Sequence, residues 1–224
     1  MADLNNAVVI RKLGIMDYSQ AWSDMKDFNR QRTNQTRDEI WLLQHPPVFT
    51  QGLNFRPEHQ PAELNHIPVI HSDRGGDITY HGPGQLISYL LIDIRRKNLG
   101  IKDLVGAMEK SIVKLLDGYQ IKGEQAPGAP GIYIAGKKIA SLGLRVRRGC
   151  SYHGLSINID MDLTPFSAIP PCGFNKLKMT QLSDYIDHPD LSQIEGELVT
   201  QLAAQLGYNS IENEHREISE QSSR

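Results

Sequence analysis

The chain has 224 residues, 39% of them hydrophobic and 22% charged, with a formal net charge of −2 when its 8 histidines are neutral. These values fit one sizeable globular domain and exclude the strongly basic balance expected of a general nucleic-acid binder. Two cysteines, Cys150 and Cys172, make neither a disulfide framework nor a zinc site. With no basic-then-apolar leader and no run of about 18 uncharged apolar residues, the reading is a cytoplasmic protein without a membrane span.

Residues 8–10 read as a short strand. Tyr18, Ala21, Trp22, Met25 and Phe28 then fall at helical spacing behind a capping Asp17. Residues 39–44 and 48–51 are strand candidates separated by His45-Pro46-Pro47. The polar, proline-bearing segment 54–65 predicts an exposed loop, and mobility there would make it a lid over a site. A short strand at 69–71 leads into Arg74-Gly75-Gly76-Asp77-Ile78-Thr79-Tyr80-His81-Gly82-Pro83-Gly84. Its glycine spacing is neither a phosphate loop nor a dinucleotide fingerprint. It is either a backbone surface that approaches a ligand or a pair of tight turns.

Residues 86–94 are almost continuously apolar, as in a central strand covered on both faces. Leu104, Met108, Ile112, Leu115, Leu116 and Tyr119 define a second helix, and a loop follows at 127–131. Residues 131–135 and the alternating run from Lys138 form a hairpin around Gly136-Lys137. In a regular register Lys138 shares a face with Ala140, Leu142, Leu144 and Val146. It either snorkels there or is placed for chemistry. Arg145, Arg147 and Arg148 are a solvated strand end or a landing site for an acidic partner. Cys150 reads as structural. His153 falls on the apolar parity of the next strand, with Leu155, Ile157 and Ile159. It is a hydrogen-bonded core histidine or a ligand contact.

Cys172 lies in a loop between Pro170-Pro171 and Gly173, which suits an inert core cysteine poorly. A thiolate there is a nucleophile, and Lys138 is a candidate cation to lower its pKa from about 8.5. Met179, Leu182 and Ile186 predict a short helix. Leu191, Ile194, Leu198 and Leu202 predict the last long one, capped by Asp190 or Ser192 and stopped at Gly207. Residues 208–224 read as a polar tail without structure. The whole is one mixed α/β domain, of the α+β type, over residues 1–207.

Four motifs in order, Arg74 to Leu86, Gly136-Lys-Lys-Ile-Ala-Ser-Leu-Gly143, His153-Gly-Leu155 and Pro171-Cys-Gly173, resemble the bacterial octanoyltransferases that start protein lipoylation. The resemblance spans about residues 39–206. It implies the biotin/lipoate protein ligase catalytic fold, a mixed sheet with packed helices. It implies transfer of an octanoyl group from octanoyl-acyl carrier protein to a lysine of lipoyl domains, those of the 2-oxoacid dehydrogenase complexes and of the glycine cleavage H protein. Carried over by position, Cys172 becomes the thioester nucleophile and Lys138 its activator. Arg74, Gly75, Gly76, Asp77, Ile78, Thr79, Tyr80, His81, Ser141, Leu142, Gly143, His153, Gly154, Leu155 and Ser156 line the acyl site. No ATP, metal or other cofactor is implied, and the expected state is a monomer. The chain departs from the family's commoner Gln at Asp77, where the mapping turns on the direction of the carboxylate. An ATP-dependent lipoate or biotin ligase, a cysteine thioesterase and an inactive binding module are the rival readings.

Overall fold

Apolar runs with no polar alternation build the centre of the structure. The computed structural model describes residues 4, 6–60, 66–126, 129–169 and 178–214. Among them, β1 (Ala7–Ile15), β2 (Asp38–Gln44), β6 (Gln85–Leu91), β7 (Glu124–Ala126), β8 (Ala129–Ile134), β9 (Lys137–Arg147), β10 (Cys150–Asn158) and β11 (Ser210–Asn213) make one sheet, in the order β11-β1-β2-β6-β10-β9-β8-β7. β1 pairs parallel with β2 and β11, and the other pairings are antiparallel. A smaller sheet holds β3 (Val48–Gln51) between β4 (Val69–His71) and β5 (Ile78–His81).

Helices α2 (Ile101–Gly118) and α3 (Leu191–Gln205) cover one face of the large sheet. Leu104, Met108, Ile112 and Leu198 pack there against Val8, Ile40, Leu42, Leu86, Leu90, Leu155 and Ile157. Helix α1 (Tyr18–Gln31) covers the other face, with Ala21 and Met25 against Trp41, Leu43, Ile87, Tyr89 and Tyr152. β2 and β6 are therefore buried on both faces, which is why they read as continuous apolar runs. The small sheet has its own core of Phe49, Ile78, Tyr80, Met161 and Phe166. The helix caps follow the sequence: Asp17 accepts from Gln20 N and Asp190 from Ser192 N and Gln193 N.

Two local readings are corrected. The polar tail from 208 begins as structure: Tyr208 is buried and its hydroxyl donates to Asp38 Oδ2 at 2.8 Å. β11 then pairs with the edge of β1, held by backbone hydrogen bonds and by an Arg11–Glu214 ion pair rather than by apolar burial. Residues 215–224 lie outside the described residues. The short helix read around Met179 to Ile186 is a single 3₁₀ turn, Leu182–Asp184, preceded by a parallel bridge between Met179 and Lys138. No helix among the described residues is long and apolar enough to cross a membrane.

Candidate active site

The α1 face of the large sheet is not fully filled. Where the small sheet and the segment at 74–77 lean over β9 and β10, a cavity of about 100 Å³ remains. It is lined by Arg74, Gly76, Asp77, Ile78, Thr79, His81, Lys138, Ser141, Leu142, Gly143, His153, Gly154, Leu155 and Ser156. Two residues expected there do not line it. Tyr80 alternates away from Thr79 and His81 along β5 into the small core, against Phe49 and Phe166. Gly75 is spent on docking: its N–H donates to Leu144 O at 2.9 Å, and a Cβ on Gly143 would stand 3.0 Å from Gly75 O. Tyr18, Ile87, Tyr89 and Pro130 complete the wall. Sequence periodicity assigned the first three to core stripes, which is also what they are.

The glycine-bearing segment proves to be both tight turns and cavity wall. Gly52 N, Leu53 N and Asn54 N donate to the carbonyls of Asp77, Arg74 and Gly76, and a Cβ on Gly52 would fall 2.2 Å from Gly76 O. Arg74 is buried and pinned, its Nε to Thr50 Oγ1 at 2.9 Å and its Nη1 to Gly75 O at 3.0 Å. Asp77 turns its carboxylate to His59 Nδ1 and to the Ile78 N–H. The acid at the position of the commoner Gln is thus engaged with its neighbours. The stretch 54–60 is tied to 74–77 by these bonds instead of standing free as a lid, and residues 61–65 lie outside the described residues.

Lys138 is 2% exposed. The regular register that would place it with Ala140 is broken. Ile132 pairs with Ala140 but Tyr133 with Lys138, so β9 carries one extra residue at Ile139. Such a bulge swaps the face of the residue before it, and Lys138 joins Ser141 and Gly143 on the cavity side. Its stem passes directly over Gly131, where a Cβ would lie 2.5 Å from Lys138 Cε, and its Nζ stands 5.7 Å from the Tyr133 ring centre. Its backbone is fixed on both sides: Lys138 N donates to Lys178 O at 2.8 Å and Thr180 N donates to Lys138 O at 2.9 Å. Lys178 and Thr180 follow Cys172 in the chain. Cys172 itself lies outside the described residues. Cys150 is buried, and burial raises its thiol pKa, as befits a structural cysteine.

His153 also departs from simple alternation. Its φ of 58° turns the ring from the α2–α3 side, where Leu155 and Ile157 pack, to the α1 side. There it stacks on Tyr152 and Tyr18, and its Nε2 stands 3.0 Å from Asp73 Oδ1. Asp73 also accepts from Trp22 Nε1 and the Tyr152 hydroxyl. Burial lowers the pKa of His153 and Asp73 pulls it back up. Asp73 is held well below the usual carboxylate range: burial pushes it up, but hydrogen bonds from His153, Tyr152 and Trp22 outweigh that.

The remaining polar wall is quiet. His45 Nδ1 donates to Met16 O at 2.6 Å, so its Nε2 accepts from the Tyr89 hydroxyl at 2.7 Å. Tyr18 spends its hydroxyl on Ser72 Oγ. Both tyrosines border the cavity with Ile78 and Ile87, while Leu142 and Leu155, paired across β9 and β10, send their side chains to the α2–α3 core. An apolar slot with one buried lysine suits an aliphatic acyl chain whose reactive carbonyl sits near that lysine. Among the described residues no group of three or more His, Cys, Asp or Glu could hold a metal ion. Arg147 and Arg148, with Lys26 and Arg30, line a separate groove beside Tyr152. It lies at the far end of β9, about 30 Å from Lys138 at roughly 3.3 Å per residue.

Comparison with known proteins bears on the family and the fold. The model of the lipoyl protein ligase A/B catalytic domain matches residues 17–203. An octanoyltransferase of Haemophilus influenzae (strain PittEE) is 52% identical over 209 residues, 92% of this chain and 98% of that protein. An octanoyltransferase of Azotobacter vinelandii is 52% identical over 202 residues, 89% of this chain and 91% of that protein. Among solved structures, a lipoate-protein ligase A bound with ATP superposes with a TM-score of 0.74 at 15% identity, over 94% of this chain and 90% of that one. A biotin protein ligase from Aquifex aeolicus gives 0.54 at 12% identity, over 90% and 70%. These two likenesses show the shared fold alone.

Proposed function

The chain belongs to the octanoyltransferases, built on the lipoyl protein ligase A/B catalytic domain, and on that footing we propose that it moves an octanoyl group from acyl carrier protein to a lysine of a lipoyl domain through a thioester on Cys172. The observation that carries this reading is Lys138, a buried lysine brought by a strand bulge to the wall of an apolar slot, with its backbone bonded to the segment that follows Cys172. Beside a cation the thiol ionises more readily. The thiolate attacks the thioester carbonyl, a new carbon–sulfur bond forms, and the carrier's thiolate leaves with a proton from the Lys138 ammonium. Lys138 is then neutral. The acceptor lysine enters as the free amine, having shed one proton to solvent against a reference pKa of about 10.4. Its nitrogen attacks the acyl carbon, Cys172 leaves as thiolate, and Lys138 takes the second proton.

One thioester is exchanged for another and the amide then forms downhill, so the cycle needs no ATP and no metal. Tyr18, Ile78, Ile87 and Tyr89 supply the apolar surface for the chain, at about 0.8 kcal/mol per buried methylene. The test is transfer of octanoyl from carrier protein to a lipoyl domain without ATP, read by intact mass, for the parent, Cys172→Ser and Lys138→Ala. Transfer by the parent alone supports the reading. Dependence on ATP would make the protein a ligase, and release of free octanoate with the lipoyl domain ignored would make it a thioesterase.

A further inference from the structure

Behind the cavity wall runs a chain of buried polar side chains that the transfer chemistry leaves unused. Asn158, the last residue of β10, is 2% exposed, and its Nδ2 stands 2.9 Å from Thr180 O. A carbonyl can only accept, so that atom is the amide nitrogen and Asn158 Oδ1 is the acceptor. Gln85 Nε2 donates to Asn158 Oδ1 at 2.9 Å and to Tyr80 O at 3.3 Å, a second carbonyl that fixes the direction independently. Gln85 Oε1 therefore accepts, and His81 Nδ1, 2.7 Å away, carries the proton. His81 Nε2 is left with its lone pair toward Thr50 Oγ1 at 3.4 Å, and Thr50 in turn accepts from Arg74 Nε at 2.9 Å. Every link has one permitted direction, from Arg74 through Thr50, His81, Gln85 and Asn158 to Thr180.

The chain ends where the reaction needs precision. Thr180 N donates to Lys138 O and Lys178 O accepts from Lys138 N. Asn158 is thus the side chain that clamps the 178–180 segment from the sheet side while Lys138 clamps it from the strand edge. Neither Asn158 nor Gln85 lines the cavity, so neither touches the acyl chain. We propose that Asn158, oriented by Gln85, is a positioning residue for Lys138: it holds the segment following Cys172 in register with the lysine, and the directed chain couples that register to the Arg74 segment. This rests on the transfer reading above.

Asn158→Asp keeps the shape but removes the donor to Thr180 O, and Asn158→Ser, whose hydroxyl is too short to span both Gln85 and Thr180 O, breaks the link without adding charge. Small misplacements of reacting groups cost up to about 10²-fold, so each variant is expected to lower kcat for ATP-free octanoyl transfer about tenfold or more. KM for octanoyl carrier protein should stay within about twofold. The pH midpoint for alkylation of Cys172 should move up toward that of a free thiol, about 8.5. A folded Asn158→Ser with the parent's kcat and alkylation midpoint overturns the proposal, as does a variant that loses activity through KM alone. Where the Asn158 variants do not fold, Gln85→Glu, which still accepts from His81 but cannot donate to Asn158, carries the same expectation and the same refutation. A parent protein that neither transfers octanoyl nor alkylates at Cys172 sinks the transfer reading itself, a distinct outcome.

Discussion

Two glycines of the β8–β9 hairpin give a matched pair of perturbations around Lys138. Gly131 has a φ of +137°, and a Cβ there would sit 2.5 Å from Ala140 O, 2.5 Å from Lys138 Cε and 3.1 Å from Lys138 Nζ. Ala140 O belongs to the neighbouring strand's backbone and cannot swing aside, so β8 and β9 must part or the lysine must leave its place. The backbone conformation alone costs about 1–3 kcal/mol for a residue with a side chain. With the clash added, Gly131→Ala should destabilise the protein by about 3 kcal/mol. Gly136, at the turn, has a φ of +77° and nothing within 4 Å of an added Cβ. Gly136→Ala should cost only the left-handed conformation, about 1–2 kcal/mol. Urea unfolding measures both costs, and ATP-free transfer kinetics measure the consequence. Gly131→Ala should lose up to about 10²-fold in kcat, while Gly136→Ala should stay within about twofold. Equal stability costs, or parent-like kinetics in a folded Gly131→Ala, would refute the placement of Lys138 over Gly131.

Three other perturbations read different parts of the account. Ile87→Phe should fill part of the cavity, so hexanoyl donors gain on octanoyl donors by roughly tenfold in kcat/KM, two methylenes at about 0.8 kcal/mol each; an unchanged ratio would remove Ile87 from the acyl wall. The Ser88 hydroxyl is buried without a partner among the described residues, so Ser88→Ala should raise stability by about 1 kcal/mol in urea titration, and a loss of that size would mean the hydroxyl is satisfied. Burial, only partly offset by the bond to Met16 O, lowers the His45 pKa from 6.5 to about 4. The unfolded chain therefore binds this proton between pH 6.5 and 4 while the folded one does not, and stability falls across that window as pH falls, by roughly 3 kcal/mol when complete. His45→Gln, which can donate to Met16 O and accept from Tyr89, should flatten that slope; an unchanged slope would assign it to other groups.

Most elements were legible because their signals are local. Continuous apolar runs at β2 and β6, helical spacing in α1, α2 and α3, and caps at Asp17 and Asp190 state their structure directly. What stayed hidden was register. Alternation alone puts Lys138 beside Ala140 and His153 beside Leu155, and both readings fail for reasons sequence periodicity does not carry. One is an extra residue at Ile139 against a partner strand, the other a left-handed φ at His153. Both irregularities turn a titratable side chain from the helix-covered core toward the cavity, so the misreadings fall on the site itself. β11 was hidden for a different reason: its residues are all exposed, and its register comes from β1 rather than from any apolar pattern of its own. The cavity residues Tyr18, Ile87 and Tyr89 look like core because each also packs or bonds there.

The transfer proposed for this protein requires a covalent acyl group at one sulfur. Mixing the protein with octanoyl carrier protein in the absence of a lipoyl domain should add the mass of a single octanoyl group, mapped to the peptide bearing Cys172, released by hydroxylamine and passed on to a lipoyl domain added afterwards. An adduct on another residue, an adduct that persists in Cys172→Ser, or full transfer with no acylated protein ever formed would contradict it.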